Sequence, residues 1–171
     1  LVNVTDIDDK IIAKAKAEKT TFSKIADEYW DIYQKNMKAL GVTAATKFAK
    51  ATKFISQIQA QVKTLLKKGF AYEIERDGIY FDVSKFSDYG KLSRRTAEQA
   101  EDGVSRIDQS IKKRNKADFA LWKFSYDDEP GWPSEWGLGR PGWHIEDTAI
   151  TEYFFGPQYD IHGGGLDLKF P

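Results

Sequence analysis

Three short stretches carry residue types that could do chemistry. The first, His162-Gly163-Gly164-Gly165-Leu166-Asp167, joins a glycine turn to a carboxylate. Successive glycines let a backbone approach a flat or anionic ligand closely, and a nearby carboxylate can accept hydrogen bonds from ribose hydroxyls. A plain glycine turn that ends a strand is written in the same letters. The second is Trp143-His144-Ile145-Glu146-Asp147. On a helix Trp143 and Asp147 lie one turn apart on one face, with His144 beside Asp147, a spacing compatible with metal ligation next to an aromatic wall. The plainer account is an acid in a first helical turn, favoured by the helix dipole, and a tryptophan in the core. The third is Thr5, at the end of an apolar run, whose hydroxyl suits either a polar ligand or the cap of the next helix.

The elements that must position these residues follow from periodicity. Residues 1–5 read as a strand, and Asp8 or Asp9 as the cap of a helix through Ile11, Ile12 and Ala15. A helix over about 21–40 repeats apolar residues at helical spacing up to Gly41, and a third is expected over about 46–68, stopped by Gly69. The period then falls to two. Residues 70–74 and 79–83 flank Arg76-Asp77-Gly78, a hairpin signal. Residues 84–118 read as loop with a short helix near 96–101, and 118–123 as a strand. The proline- and glycine-rich stretch 125–142 reads as a long ordered loop, because Trp132 and Trp136 are unusual in linkers. A helix should start near Gly142, and Tyr159–His162 should be a strand, paired in parallel with residues 1–5. The pattern predicts an α/β fold: a parallel sheet interrupted by an inserted subdomain with a β-hairpin. In such sheets ligands bind at the carboxyl ends of strands. Thr5, Trp143, Asp147 and Gly163 to Asp167 should therefore converge on one cleft.

Composition bounds the partners. Lys plus Arg equals Asp plus Glu at 26 each, so no overall basic field points to nucleic acid. The basic run Lys112-Lys113-Arg114-Asn115-Lys116 reads as a solvated surface. The absence of cysteine excludes a disulfide framework and thiolate metal ligands from this segment. No apolar stretch is long enough to span a bilayer, so we expect a cytoplasmic protein. The chain opens without Met in an apolar run and stops at Lys169-Phe170-Pro171, so we expect a piece of a longer protein.

Several segments together resemble the cysteinyl-tRNA synthetases. They are Asn3-Val4-Thr5-Asp6-Ile7-Asp8-Asp9-Lys10-Ile11-Ile12, Gly78 to Val83 with Tyr89-Gly90-Lys91-Leu92-Ser93, and Asp118 to Lys123. Gly139-Arg140-Pro141-Gly142-Trp143-His144-Ile145-Glu146 and Asp160 to Pro171 complete the set, in the family's order over essentially the whole chain. The resemblance implies a class I synthetase with a Rossmann-like catalytic domain: 1–68 as its first part, 69–141 as an inserted connective region, and 142–171 as the return to it. It also implies ATP-dependent activation of cysteine and its transfer to tRNA, by a monomer whose zinc ion grips the substrate thiolate. Zinc suits that task because it is borderline soft and favours the deprotonated thiol. By the resemblance Thr5 and Trp143 bind cysteine, and Gly163, Gly164, Gly165 and Asp167 bind ATP. No residue of this chain is assigned to catalysis proper.

Two departures from the family pattern modify these expectations. A zinc-ligating cysteine usually follows Trp-His-Ile-Glu, whereas here Asp147 stands there as the candidate ligand. The family's other metal ligands, its His-Ile-Gly-His motif and its Lys-Met-Ser-Lys-Ser loop would lie outside residues 1–171. We therefore expect the chain alone to be inactive and to hold zinc weakly or not at all. Two other readings fit the letters: a related ligase that joins cysteine to a small amine, and a non-catalytic module of the same fold.

Overall fold

The computed structural model describes residues 1–92, 94 and 112–165. The expected short helix near 96–101 lies outside these residues, as does Asp167. Among the described residues no helix is long and apolar enough to cross a membrane.

Strand β1 (Val2–Val4) leads into helix α1 (Asp9–Ala17), whose cap is Asp8: its carboxylate accepts from Ile11 N at 2.7 Å. Helix α2 (Phe22–Ala39) is capped by Thr21 and is followed by Gly41 at φ +71°, a left-handed residue where helices commonly end. The next element corrects the sequence reading. Residues 48–50 form strand β2 (Phe48–Lys50), followed by a 3-10 turn, and helix α3 (Ile55–Lys67) starts about nine residues later than periodicity suggested. Phe48 has helical spacing to the apolar residues that follow it. Its ring instead packs edge-on against Trp30, with ring centres 5.1 Å apart, while Ala49 is buried beside β1. Tertiary contact overrode local preference.

This strand also replaces an expected partner. β1 pairs in parallel with β2, Val2 opposite Phe48 and Val4 opposite Lys50, and not with residues 158–162. Tyr159–His162 form no strand, and Ile161 is 89% exposed. A parallel strand needs cover on both faces, and all four of these residues are exposed. The parallel sheet exists, but with another second strand.

The remaining strands form one antiparallel sheet: β3 (Ala71–Ile74), β4 (Gly78–Phe81), β5 (Phe119–Phe124), β6 (Trp132–Ser134) and β7 (Gly137–Pro141), in the order β3-β4-β5-β7-β6. β3 and β4 make the expected hairpin, but its left-handed residue is Arg76 at φ +60°. Gly78 is needed for another reason: a Cβ there would sit 2.3 Å from the carbonyl oxygen of Trp122 on β5. The stretch 125–142, expected as a loop, contains the β6–β7 hairpin. Pro133 did not prevent this, because it lies on edge strand β6, where a missing N–H breaks no ladder, and Pro141 is the last residue of β7. A register shift where β4 meets β5 lets the consecutive residues Leu121 and Trp122 both join the main core.

Helix α4 (Trp143–Phe155) holds the two sheets together. Its Ile145 and Ala149 share a core with Ile58 and Val62 of α3 and with Ile79, Leu121 and Trp122 of the antiparallel sheet. Its Ile150 packs with Ala49 and Ala51 at β2. The basic run is tied inward: Lys113 donates to the carbonyl of Asp118 at 2.9 Å, and Arg114 lies 4.1 Å over the Tyr72 ring.

Two predictions follow from how α4 and α1 are seated. Gly142 has an ordinary φ of −70°, yet a Cβ there would fall 1.9 Å from the carbonyl oxygen of Ala120. Gly142→Ala should push α4 off the sheet and lower the unfolding free energy by about 1–3 kcal/mol, the range for overpacking, read by urea denaturation. At α1, burial acts to raise the Asp9 pKa. The Arg140 guanidinium and the Lys123 ammonium, the latter 2.9 Å away, outweigh it and hold the carboxyl below its ordinary value. A depressed acid adds stability that is present above its unfolded pKa and lost as pH falls through the folded one. Thermal melts from about pH 6 to about pH 3 should therefore show a shallower acid slope for Asp9→Asn than for the unsubstituted chain.

Candidate functional site

The end of β1 and the first turn of α4 face each other across the mouth of a cleft of about 1160 Å³. From β1 and the residue just beyond it the cleft is lined by Asn3 and Thr5, and from α4 by Trp143, His144 and Asp147. The segment after α4 contributes Tyr159, His162, Gly163 and Gly164. Residues expected to converge from separate stretches thus share one cavity: Thr5, Trp143, Asp147, Gly163 and Gly164. Gly165 is exposed and does not line it. No atom packs within 4 Å of where a Cβ would sit on Gly163, so its backbone is open to an approaching group.

The acidic run that leads away from β1 is divided among different partners. Asp6 accepts from the backbone N–H and the hydroxyl of Thr52, at 2.9 and 2.6 Å, and fixes the turn before α3. Asp8 caps α1, and Asp9 pairs with Lys123 and Arg140. Thr5 caps nothing; its hydroxyl donates to Glu146 Oε1. Two residues earlier, Asn3 Nδ2 donates to Asp147 Oδ1. Neighbouring residues of β1 and α4 are thus joined twice, side chain to side chain.

Glu146 is 0% exposed. Burial pushes its pKa up to about 9; the hydrogen bond from Thr5 acts against this, while the charges of Asp147, Asp6 and Asp8 add to it. Its Oε2 has no hydrogen-bond partner among the described residues, nor has the side-chain Oδ1 of Asn3. Asp147 is also raised, by burial first, with the Asn3 hydrogen bond and the charge of His162 opposing. The His162 charge bears on Asp147, and its Nδ1 lies 3.3 Å from the Tyr159 hydroxyl. His144, the neighbour expected from helical spacing, has its ring 4.0 Å from Trp143 and 5.1 Å edge-on to Phe119. Among the described residues no group of three or more His, Asp or Glu side chains is gathered to hold a metal ion.

Sequence reasoning missed Asn3 and Glu146. For Glu146 a signal existed: it shares a helical face with Ala149 and Ile150, three and four residues on, and both are buried. An acid on the apolar side of a helix is worth a question. For Asn3 there was none, since its partner is 144 residues away.

With this geometry in place, the chain can be set beside known proteins. The family model for the tRNA synthetases class I (C) catalytic domain matches residues 1–171, and the chain belongs to that family. It is 53% identical over its whole length to the cysteine–tRNA ligase of Thermoplasma acidophilum, of which it covers 37%. It is 52% identical to that of Thermoplasma volcanium, again covering 37%, and 47% identical to that of Methanococcus maripaludis, covering 36%. The chain spans little more than a third of the length of these curated relatives.

The double link between β1 and α4 carries a prediction of its own. Asn3→Ala removes one of the two bonds and leaves the half-buried Asp147 carboxyl without its donor. Urea denaturation should show a loss of about 1–2 kcal/mol, the usual result of leaving such a group unpaired.

Proposed function

We propose that this chain is the central part of the catalytic domain of a cysteine–tRNA ligase, an enzyme that condenses cysteine with ATP and passes the cysteinyl group to tRNA. The observation that carries the proposal is the shared cleft, which gathers Thr5, Trp143, Asp147 and Gly163–Gly164 from three stretches of sequence. The identity to cysteine–tRNA ligases across all of the chain supports it. In this reading residues 1–68 and 142–171 belong to a Rossmann-like domain, and 69–141, which holds most of the antiparallel sheet, is an inserted connective region. The enzyme works as a monomer in the cytoplasm.

Each residue has a physical task. Thr5 gives its one proton to Glu146, so toward the cleft its oxygen is an acceptor, suited to a substrate ammonium. The indole of Trp143 forms an apolar wall for a small side chain. Gly163 and Gly164 let the adenosine part of ATP lie against bare backbone, and Asp167 takes the ribose hydroxyls. Asp147 would be one oxygen ligand if a zinc ion were bound, its other ligands coming from outside the described residues, and the ion would supply selection for a thiolate. Activation then depends on holding two substrates in line and on stabilising phosphate charge.

The test is amino-acid-dependent pyrophosphate exchange. The longer enzyme that contains this chain should exchange pyrophosphate into ATP with cysteine and charge tRNA, while the 171-residue chain alone should do neither. Exchange that responds to another amino acid but not to cysteine would sink the proposal. Exchange with cysteine but transfer only to a small amine would replace tRNA as the acceptor.

A further inference from the structure

Glu146 is built in at a cost that packing does not explain. Its side chain is fully buried beside Ile145, Ala149 and Ile150, and one of its two oxygens has no hydrogen-bond partner among the described residues. Burying a carboxyl group without satisfying both oxygens destabilises a fold, and an apolar residue of similar volume is often neutral or better. The other oxygen accepts from the hydroxyl of Thr5, 141 residues away. Thr5 is itself exposed at the cleft. The acid therefore stands behind the cleft wall and reaches it through a single hydroxyl. β1 ends at Val4, so Thr5 lies beyond the strand, and α1 is capped by Asp8 and not by Thr5.

We propose that Glu146 is the positioning residue for the amino-acid end of the cleft: it holds the Thr5 hydroxyl in the one orientation that receives the substrate amino acid. It touches no substrate; it acts through Thr5. The inference rests on the function proposed above and extends it to a residue outside the cleft lining. Because the acceptor is on α4, the placement of Thr5 is also tied to that of Trp143 and Asp147 on the same helix. An amino acid bound between β1 and α4 then meets groups whose separation is fixed by one hydrogen bond.

The experiment uses the longer enzyme and the same exchange assay, with Thr5→Val, Glu146→Leu, Glu146→Gln and the double variant Thr5→Val/Glu146→Leu. Glu146→Leu removes the acceptor but keeps the volume. It should raise the KM for cysteine about tenfold, the effect of one lost hydrogen bond of about 1.4 kcal/mol, and leave the KM for ATP unchanged. Its melting temperature should equal or exceed that of the parent, which a merely structural role would not produce. Glu146→Gln keeps an acceptor and should restore most of the affinity. The double variant should be no worse than either single one, since both break the same link. Additive losses, an unchanged KM for cysteine in Glu146→Leu, or KM values for cysteine and ATP that rise together would each overturn the inference. If Glu146→Leu does not fold, Glu146→Met takes its place in the same cycle. An unsubstituted enzyme that fails to activate cysteine removes the proposed function instead, and the cycle is then run with the amino acid it does activate. An enzyme that activates none overturns both.

Discussion

The cleft exists because β1 and the first turn of α4 are held face to face by two side-chain hydrogen bonds, Asn3 to Asp147 and Thr5 to Glu146. Both join residues more than 140 positions apart, and both have a carboxyl group as acceptor. Hydrogen bonds to carboxyl groups in partly buried places are stronger than those between neutral amides. They are also directional, so they set distance and angle where apolar contact alone would allow sliding. The cleft, its lining and its candidate metal ligand all depend on that geometry.

Helix α4 can serve as the meeting point because its faces have different duties. Ile145 and Ala149 sit in the core of the antiparallel sheet, Ile150 packs toward β2, and Trp143 and Asp147 look into the cleft. Gly142 sets the height of the helix over the sheet through its contact with the Ala120 carbonyl. On the other side of the mouth the acidic run is spread over separate anchors, Thr52 for Asp6 and the pair Lys123 and Arg140 for Asp9. So many carboxyl groups within a few residues would repel one another if left together. Giving each its own cap, donor or cation removes most of that repulsion and ties α1, the turn before α3 and the antiparallel sheet to the end of β1.

Much of this was legible in the residues. α1, α2, the β3–β4 hairpin, β5 and the start of α4 follow from periodicity, caps and turn residues, which are local properties of the chain. The convergence of Thr5, Trp143, Asp147, Gly163 and Gly164 was legible for a different reason: ligand groups in α/β folds cluster at strand ends and helix starts. Phe48 misled because it has helical spacing to the residues after it, although its ring has a partner on α2. Tyr159–His162 misled because alternating apolar residues look like a strand whether or not a neighbouring strand exists. Pro133 misled because a proline argues against a central strand and says nothing of an edge.

By itself the sequence determined α1, α2, the β3–β4 hairpin, β5 and the start of α4, the mixed α/β class, and five of the residues that line the cleft, because propensity, capping and helical spacing act within a few residues. Only the tertiary structure decided that β2 pairs with β1, that the His162 charge bears on Asp147, and that Glu146 stands behind Thr5. Each of these links residues about 15 to more than 140 positions apart. Contacts at such separation leave no periodic trace in the chain, because they depend on how whole elements pack and on which buried polar groups find a partner once they have.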